Sequence, residues 1–212
     1  MFITDRYLLA FEPDLFRDAG FLAQRLINTT GSIGSGKLNI TGADLAAVNV
    51  TGGHVALHAS TAFEVIQRLS ATQAVVSILR ASVADAVIPP AAAGTAAVAV
   101  FTFAPQIAAA HSALLAMLNL PALGLGLVGE PDESAITNPA DLRTLEALLT
   151  LHLVWAAAAA VAGSGSVQAS RAESYRLRAA RERSALRARL DLDGDGVPDA
   201  ERRPGAAVLV RG

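Results

Sequence analysis

The chain of 212 residues contains no cysteine, and aromatic residues make up only 5% of it. The absence of cysteine excludes disulfides and thiolate metal sites. Apolar residues account for 52% of the chain, and many of them are alanine and valine. Because buried apolar area stabilises by roughly 25 cal/mol per Å², a core of such small side chains gains little per residue. We therefore expect neighbouring subunits to complete the burial.

The chain also has no large excess of either sign of charge, since its formal net charge is −2. This near-neutral balance gives no overall bias toward nucleic acid. The distribution is uneven: no charged residue occurs between Asp85 and Glu130, whereas the stretch from Arg171 to Arg189 carries seven arginines against two glutamates. Any recognition through charge is therefore predicted in the C-terminal part of the chain.

A long uninterrupted hydrophobic run is missing as well. The uncharged window over residues 147–162 is shorter than the roughly 20 residues that cross a bilayer. Prolines at 89, 90, 105 and 121 break the longer uncharged region, and the first residues lack the pattern of a secretory signal. We expect no membrane span, although the uncharged middle leaves a small membrane-associated protein as a third class.

The first half of the chain has two textures. Residues 1–20 predict one or two short helices that pack on a helical bundle. Residues 21–103 alternate in short runs between turn residues, which predicts a small antiparallel β-rich domain, a sheet or a barrel. Around His54–His58 the alternation places Val55 and Leu57 on one face and the histidines on the other. Residues 31–38 spell most of a phosphate-binding loop, but Leu38 replaces the residue that would hold magnesium, so we expect a flexible loop.

The second half has helical periodicity and predicts a bundle over residues 104–190. One helix begins at Asn138, an N-cap residue followed by Pro139 and by Asp141 in the first turn. Another opens at Ser170 with a capping-box pattern and runs to about Arg189. Residues 191–212 predict a C-terminal hairpin and docking arm, with strands over 187–192 and 206–211. The predicted fold class is α+β, with a C-terminal helical bundle, a terminal β-hairpin and the β-rich domain.

An acidic loop follows the basic helix. Calcium prefers six to eight oxygen ligands, and carboxylates at the first, third, fifth and ninth positions of a loop, with glycine at the sixth, can converge on one ion. At the twelfth position, where an EF-hand has glutamate, the chain has Arg202. The loop resembles dockerin-type or thrombospondin-type calcium loops, and it also fits a solvated turn. The candidate calcium ligands are Asp191, Asp193, Asp195 and Asp199.

The basic helix and the tail form the predicted docking surface. Arginine pairs with carboxylates or phosphates through two parallel hydrogen bonds. A solvated helix is the alternative, and nucleic-acid binding lacks interleaved aromatics for base stacking. The histidines have no spacing that predicts a catalytic triad, so we expect no enzyme and no cofactor. The predicted docking residues are Tyr175, Arg176, Arg183, Arg187, Leu192, Val208 and Val210.

Four segments of the second half together resemble head–tail adaptor (connector) proteins of tailed bacteriophages. They are residues 103–111, the helix start at 138–146, the alanine-rich helix after Trp155, and residues 175–189 running into the acidic loop. The resemblance covers mainly residues 100–212, and the β-rich domain departs from the minimal all-helical adaptors.

The resemblance implies a structural protein of the virion, assembled in the host cytoplasm. Its subunits would form a ring of about a dozen copies beneath the portal protein. The ring would link the portal to a further neck or tail protein and let DNA pass through its lumen without reading its sequence. The family has no catalytic residues. The alternative function is a calcium-stabilised binding or adhesion module that uses the acidic loop.

Overall fold

The computed structural model describes residues 1–125 and 130–205, and the chain divides into two compact units. The barrel unit comprises Ile3–Pro105, and the helical unit comprises Met1–Phe2 together with the chain from Gln106 onward. The predicted mixed α+β architecture with a C-terminal helical part is confirmed. The prediction left open whether the β-rich domain is a sheet or a barrel. In the structure its sheet closes into a barrel.

Six antiparallel strands form this barrel in the order β1-β2-β5-β4-β3-β6, and β6 pairs with both β3 and β1. Alternate residues of each strand point inward and fill the interior with aliphatic side chains, among them Ile27, Leu38, Val76 and Val100, as period-two patterning requires. The strands are β1 (Gln24–Gly34), β2 (Lys37–Thr41), β3 (Val55–His58), β4 (Thr61–Arg68), β5 (Gln73–Ser77) and β6 (Ala93–Thr102).

One histidine of β3 faces the barrel interior, whereas the alternation predicted that the interior side belongs to Val55 and Leu57. Ala56 belongs to the barrel core, and His58, two residues further on, is 5% exposed. The Nε2 of His58 lies 3.1 Å from the carbonyl oxygen of Gly31 and 3.2 Å from that of Gly94. His58 is therefore a hydrogen-bonded core residue. His54 precedes the strand.

The segment that resembles a phosphate-binding loop is part of a β-hairpin, so the prediction of a flexible loop was wrong. Gly34 pairs with Lys37 across a two-residue turn, and the turn residues Ser35 and Gly36 have φ values of 52° and 71°. Two left-handed residues are what a tight hairpin turn requires. The lysine thus begins a strand and does not open a helix.

Two short helices, α1 (Asp5–Phe11) and α2 (Leu15–Asp18), precede the barrel, as predicted. Both contact β3, and their apolar residues, among them Leu8 and Phe16, are buried. The sequence placed residues 1–20 on the helical bundle, whereas in the structure these helices belong to the barrel unit. The reason is that a barrel strand with apolar residues on its outer side needs a cover.

A buried charge cluster ties α1 to the barrel. Glu64, on β4, is completely buried and forms ion pairs with the guanidinium groups of Arg6 and Arg80. The backbone N–H of Arg80 also donates to Glu64 at 3.2 Å, and its guanidinium donates to the carbonyl oxygens of Val83 and Asp85. One carboxylate therefore organises both the N-terminal helix and the loop after β5.

The helical unit contains α3 (Ala104–Met117), which begins at the unit boundary, α4 (Pro139–Ala162) and α5 (Val167–Ala185). Its core includes the predicted stripe residues Ile107, Leu114, Leu142 and Leu145. The helix start predicted at Asn138 is confirmed. The start of α5 differs from the prediction, because Ser166 is the N-cap residue and its hydroxyl accepts the N–H of Ala169.

Helix α4 combines length with an apolar composition. Over the described residues it alone meets the length and composition of a membrane-crossing helix, with a mean hydropathy of 1.8 in its most apolar stretch. Half of that stretch is buried within the protein itself, where α4 packs along α5. Core helices of this kind show the same composition.

The tail forms a hairpin, but with a different second strand from the predicted one. Strand β7 (Ala188–Leu190) pairs with β8 (Ala200–Arg202), whereas residues 206–211 lie outside the described residues. The edge of β7 that faces away from β8 is also paired: Leu190 bridges to Ile136, and Thr137 N–H donates to the carbonyl of Arg189. The chain itself therefore covers this edge, because the segment before α4 lies alongside β7.

Candidate docking surface

The exposed side of α5 is strongly basic. Its inward stripe is thin and consists of Ala172, Tyr175 and Ala179, which leaves the arginines of the helix on the outside. Arg176, whose guanidinium donates two hydrogen bonds of 2.7 Å to Glu173, is already paired. Arg181 and Arg183 are exposed and have no ion-pair partner among the described residues. This surface therefore offers guanidinium groups to an outside carboxylate or phosphate.

A groove runs between α4 and α5 beside these arginines. Arg176 and Arg183 stand at its rim, and its volume is about 170 Å³. Apolar side chains from α3, α4 and α5 form the floor: Met117, Leu145, Leu149 and Ala179. We call it the α4–α5 groove. The site thus joins apolar surface to positive charge.

Two contacts fix the helices that form this groove. The Nδ1–H of His152 on α4 donates to the carbonyl oxygen of Ala172 on α5 at 3.1 Å; the tautomer follows because a carbonyl only accepts. The guanidinium of Arg171 lies over the ring of Trp155, 4.5 Å from its centroid, a cation–π contact. The groove walls are therefore held by specific side-chain contacts as well as by packing.

The predicted docking residues do not all lie on one surface. Tyr175 is only 5% exposed, so it cannot contact a partner directly; its ring instead lies beneath the guanidinium of Arg178, at 5.2 Å. Arg187 is exposed and lies 3.6 Å from Glu201 of the hairpin. Leu192 is exposed in the acidic loop. Val208 and Val210 lie outside the described residues.

The acidic loop brings three of its four candidate ligands together. Carboxylate oxygens of Asp191, Asp193 and Asp195 lie within 4.8 Å of one another. The N–H groups of Gly196 and Gly194 donate to Asp191 at 2.7 Å each, and these hydrogen bonds, that from Gly196 foremost, lower the pKa of Asp191 below its usual value. The carboxylates therefore converge and at least one stays ionised at neutral pH.

The remaining two positions of the calcium pattern point elsewhere. Asp199 accepts the N–H of Leu192 at 2.7 Å and does not belong to the group of three. Arg202 reaches away from the loop and donates to the carbonyl oxygens of Leu118 and Asn119 at the end of α3. The cation at the twelfth position is therefore an anchor of the hairpin and does not oppose an ion in the loop.

A buried histidine between two carboxylates escaped sequence reasoning. The Nδ1 of His111 lies 3.1 Å from Glu146, and its Nε2 lies 3.1 Å from Glu133. Burial raises the pKa of Glu146, and the N–H of Phe2, which donates to it at 2.9 Å, counteracts that effect. Partial burial also acts to raise the pKa of Glu133, but hydrogen bonding and charge from His111 and from the N-terminal ammonium, 3.3 Å away, together outweigh it and lower that pKa. No local pattern signals this cluster, because its members are far apart in sequence.

No protein-family model, no curated protein and no solved structure matches the chain. Two surfaces carry chemistry for recognition: the basic α5 side with its apolar groove, and the converging carboxylates of the loop.

Proposed function

We propose that the chain is a non-enzymatic assembly protein that binds an acidic partner surface through the exposed arginines of α5. In its particular form the proposal is a head–tail adaptor of a tailed bacteriophage, in a ring beneath the portal that passes DNA to the next neck or tail component. The observation that carries it is a helix whose inward stripe is thin and whose outer arginines, Arg181 and Arg183, lack an ion-pair partner among the described residues.

The energetics favour an outside partner for such a helix. An exposed guanidinium contributes little to the stability of its own fold, whereas across an interface it steers encounter and selects the partner by charge. The hairpin contributes less to this proposal than the sequence indicated, because β7 is already paired on both edges.

The test is binding of the purified chain to the portal ring of the same virus. Replacing Arg176, Arg181 and Arg183 together by glutamate reverses the charge of the proposed surface, and we expect at least about tenfold weaker binding, or about 1.4 kcal/mol. Wild-type binding should also weaken as salt rises, because salt screens exposed charges. Surface-immobilised portal rings and a titration of the chain in solution provide the measurement.

The matched control reverses as many charges away from α5. Arg25 and Lys37 on the barrel and Arg143 on α4 are exposed and have no ion-pair partner among the described residues, so their joint replacement by glutamate changes the net charge equally. Binding of this control should change much less. If both triple variants bind like the wild type, α5 is not the docking surface and the proposal fails.

A second candidate function is a calcium-stabilised binding module, which the convergence of Asp191, Asp193 and Asp195 favours. Oxygen ligands at 2.3–2.6 Å from one calcium ion would lie about as close together as these carboxylates do. With one oxygen each, the three supply fewer than the six to eight oxygens that calcium prefers. Asp199, which accepts the N–H of Leu192, lies outside this group.

Thermal unfolding with and without calcium separates the two candidates. If the loop binds calcium, a concentration of about 100 times Kd stabilises the fold by about 2.7 kcal/mol, and Asp193→Ala abolishes the shift. Magnesium, which dehydrates reluctantly and demands octahedral geometry, is the matched control ion. Equal melting temperatures with and without calcium would leave the loop as a solvated turn.

A further inference from the structure

The α4–α5 groove has about the volume of one large apolar side chain. Its volume of about 170 Å³ is close to the roughly 150 Å³ of an apolar cavity that holds benzene. Leu145 and Ala179 on its floor are buried, and Leu149 and Met117 are half-buried. A leucine or phenylalanine side chain is therefore of the right size for it.

The positively charged rim of the groove favours a bound side chain whose neighbours carry negative charge. Arg176 and Arg183 are separated by two helical turns and stand at the same side of the groove. Arg183 has no ion-pair partner among the described residues, and His152 contributes a half-exposed imidazole whose Nδ1 is already engaged. No acidic residue is among those that line the groove in the described part of the chain.

We propose that the groove binds a partner-protein segment in which an apolar anchor is flanked by carboxylates. This inference rests on the proposed function, since it names what α5 recognises. Nucleic-acid phosphates would satisfy the arginines but would leave the apolar floor unused. An apolar anchor in a desolvated pocket, surrounded by weaker polar contacts, is the usual composition of an interface hot spot.

The experiment uses the full chain and a fluorescein-labelled synthetic helix that carries a stripe of leucines flanked by glutamates. Fluorescence anisotropy measures binding, and two matched peptides replace the leucines by alanine or the glutamates by lysine. We expect the leucine–glutamate peptide to bind at least about tenfold more tightly than either control peptide.

Protein variants then locate the binding. Ala180 is exposed and lines the groove, so Ala180→Trp fills it without disturbing the core and should weaken binding about tenfold or more. Arg183→Glu should do the same. Arg143→Glu is the matched control, because Arg143 carries the same charge and is exposed on α4 but does not line the groove. Circular dichroism melting confirms that each variant is folded.

Three results would overturn the inference: no binding of the leucine–glutamate peptide to the wild-type chain, unchanged binding by Ala180→Trp, or equal losses in Arg143→Glu and Arg183→Glu. The portal ring separates the two proposals. If reversal of the α5 charges abolishes portal binding and Ala180→Trp does not, only the groove is refuted. If peptide binding depends on the groove but the portal ring is not bound, the portal is the wrong partner and the groove chemistry stands.

Discussion

Replacement of Glu64 by glutamine should severely destabilise the barrel unit. The carboxylate is completely buried and accepts from the side chains of Arg6 and Arg80 and from the Arg80 backbone N–H. An amide keeps one acceptor oxygen, but its NH₂ group would face one of the guanidinium donors. Two buried cations would then remain without the anion that pairs them.

The magnitude follows from the geometry. Hydrogen bonds to charged groups contribute about 1.5–3 kcal/mol each, and removing one partner of a buried ion pair costs about 3–5 kcal/mol. We therefore expect Glu64→Gln to lower the unfolding free energy by about 3–5 kcal/mol. For a unit of this size the melting temperature should fall by more than about 10 °C.

Urea unfolding provides the assay. Far-UV circular dichroism follows the whole chain, and Trp155, the single tryptophan, reports the helical unit through its fluorescence. Adding Arg6→Met to Glu64→Gln should cost little more, because it removes one of the stranded cations. This non-additivity is the signature of residues that share a network.

Glu201→Gln is the matched control. Glu201 also faces two arginines, Arg187 at 3.6 Å and Arg189 at 4.0 Å, but its side chain is half exposed, so almost no change is expected. If Glu64→Gln shifts the urea midpoint no more than Glu201→Gln does, the reasoning from buried charge is refuted.

Two further predictions concern the barrel unit. Gly31→Ala should lower its unfolding free energy by about 1–3 kcal/mol, measured by urea denaturation, because an added Cβ would overlap the carbonyl oxygen of Asn39; an unchanged midpoint would contradict this packing. Burial raises the pKa of Asp5, although the Phe103 N–H that donates to it acts in the opposite direction. A raised folded pKa contributes stability that is present below the unfolded value of about 3.9 and is lost as pH rises through the folded pKa. Asp5→Asn should remove that pH-dependent loss. The difference in unfolding free energy between wild type and variant, measured from pH 3 to pH 7, should therefore change with pH, and a constant difference would refute the raised pKa of Asp5.

Local patterns predicted much of the element content. Alternation over residues 21–103 predicted antiparallel strands, and Asn138 with Pro139 predicted the start of α4, which the structure confirms. The alternation failed to give the facing of β3, because the strand has apolar residues on both sides: Val55 and Ala56 are each buried. A strand buried on both faces has no polar side from which its facing can be read.

The candidate sites divide in the same way. The arginines of α5 lie close to one another along the chain, as do the aspartates of the loop, so the chemistry of both groups could be predicted from the sequence. The inward position of Tyr175 and the cluster around His111 were not, because each depends on a second helix or loop that lies far away in the chain.

Most of the strands and helices, and the places where positive and negative charges concentrate, could be read from the sequence alone, since propensity, capping and periodicity act between near neighbours. Three features depend on the three-dimensional fold. Strand β6 closes the sheet against both β1 and β3, one carboxylate joins Arg6 to Arg80, and α4 and α5 leave a groove beside Arg183. Each of these depends on contacts between residues tens of positions apart. Such contacts form through packing and charge pairing in three dimensions, which no local pattern encodes.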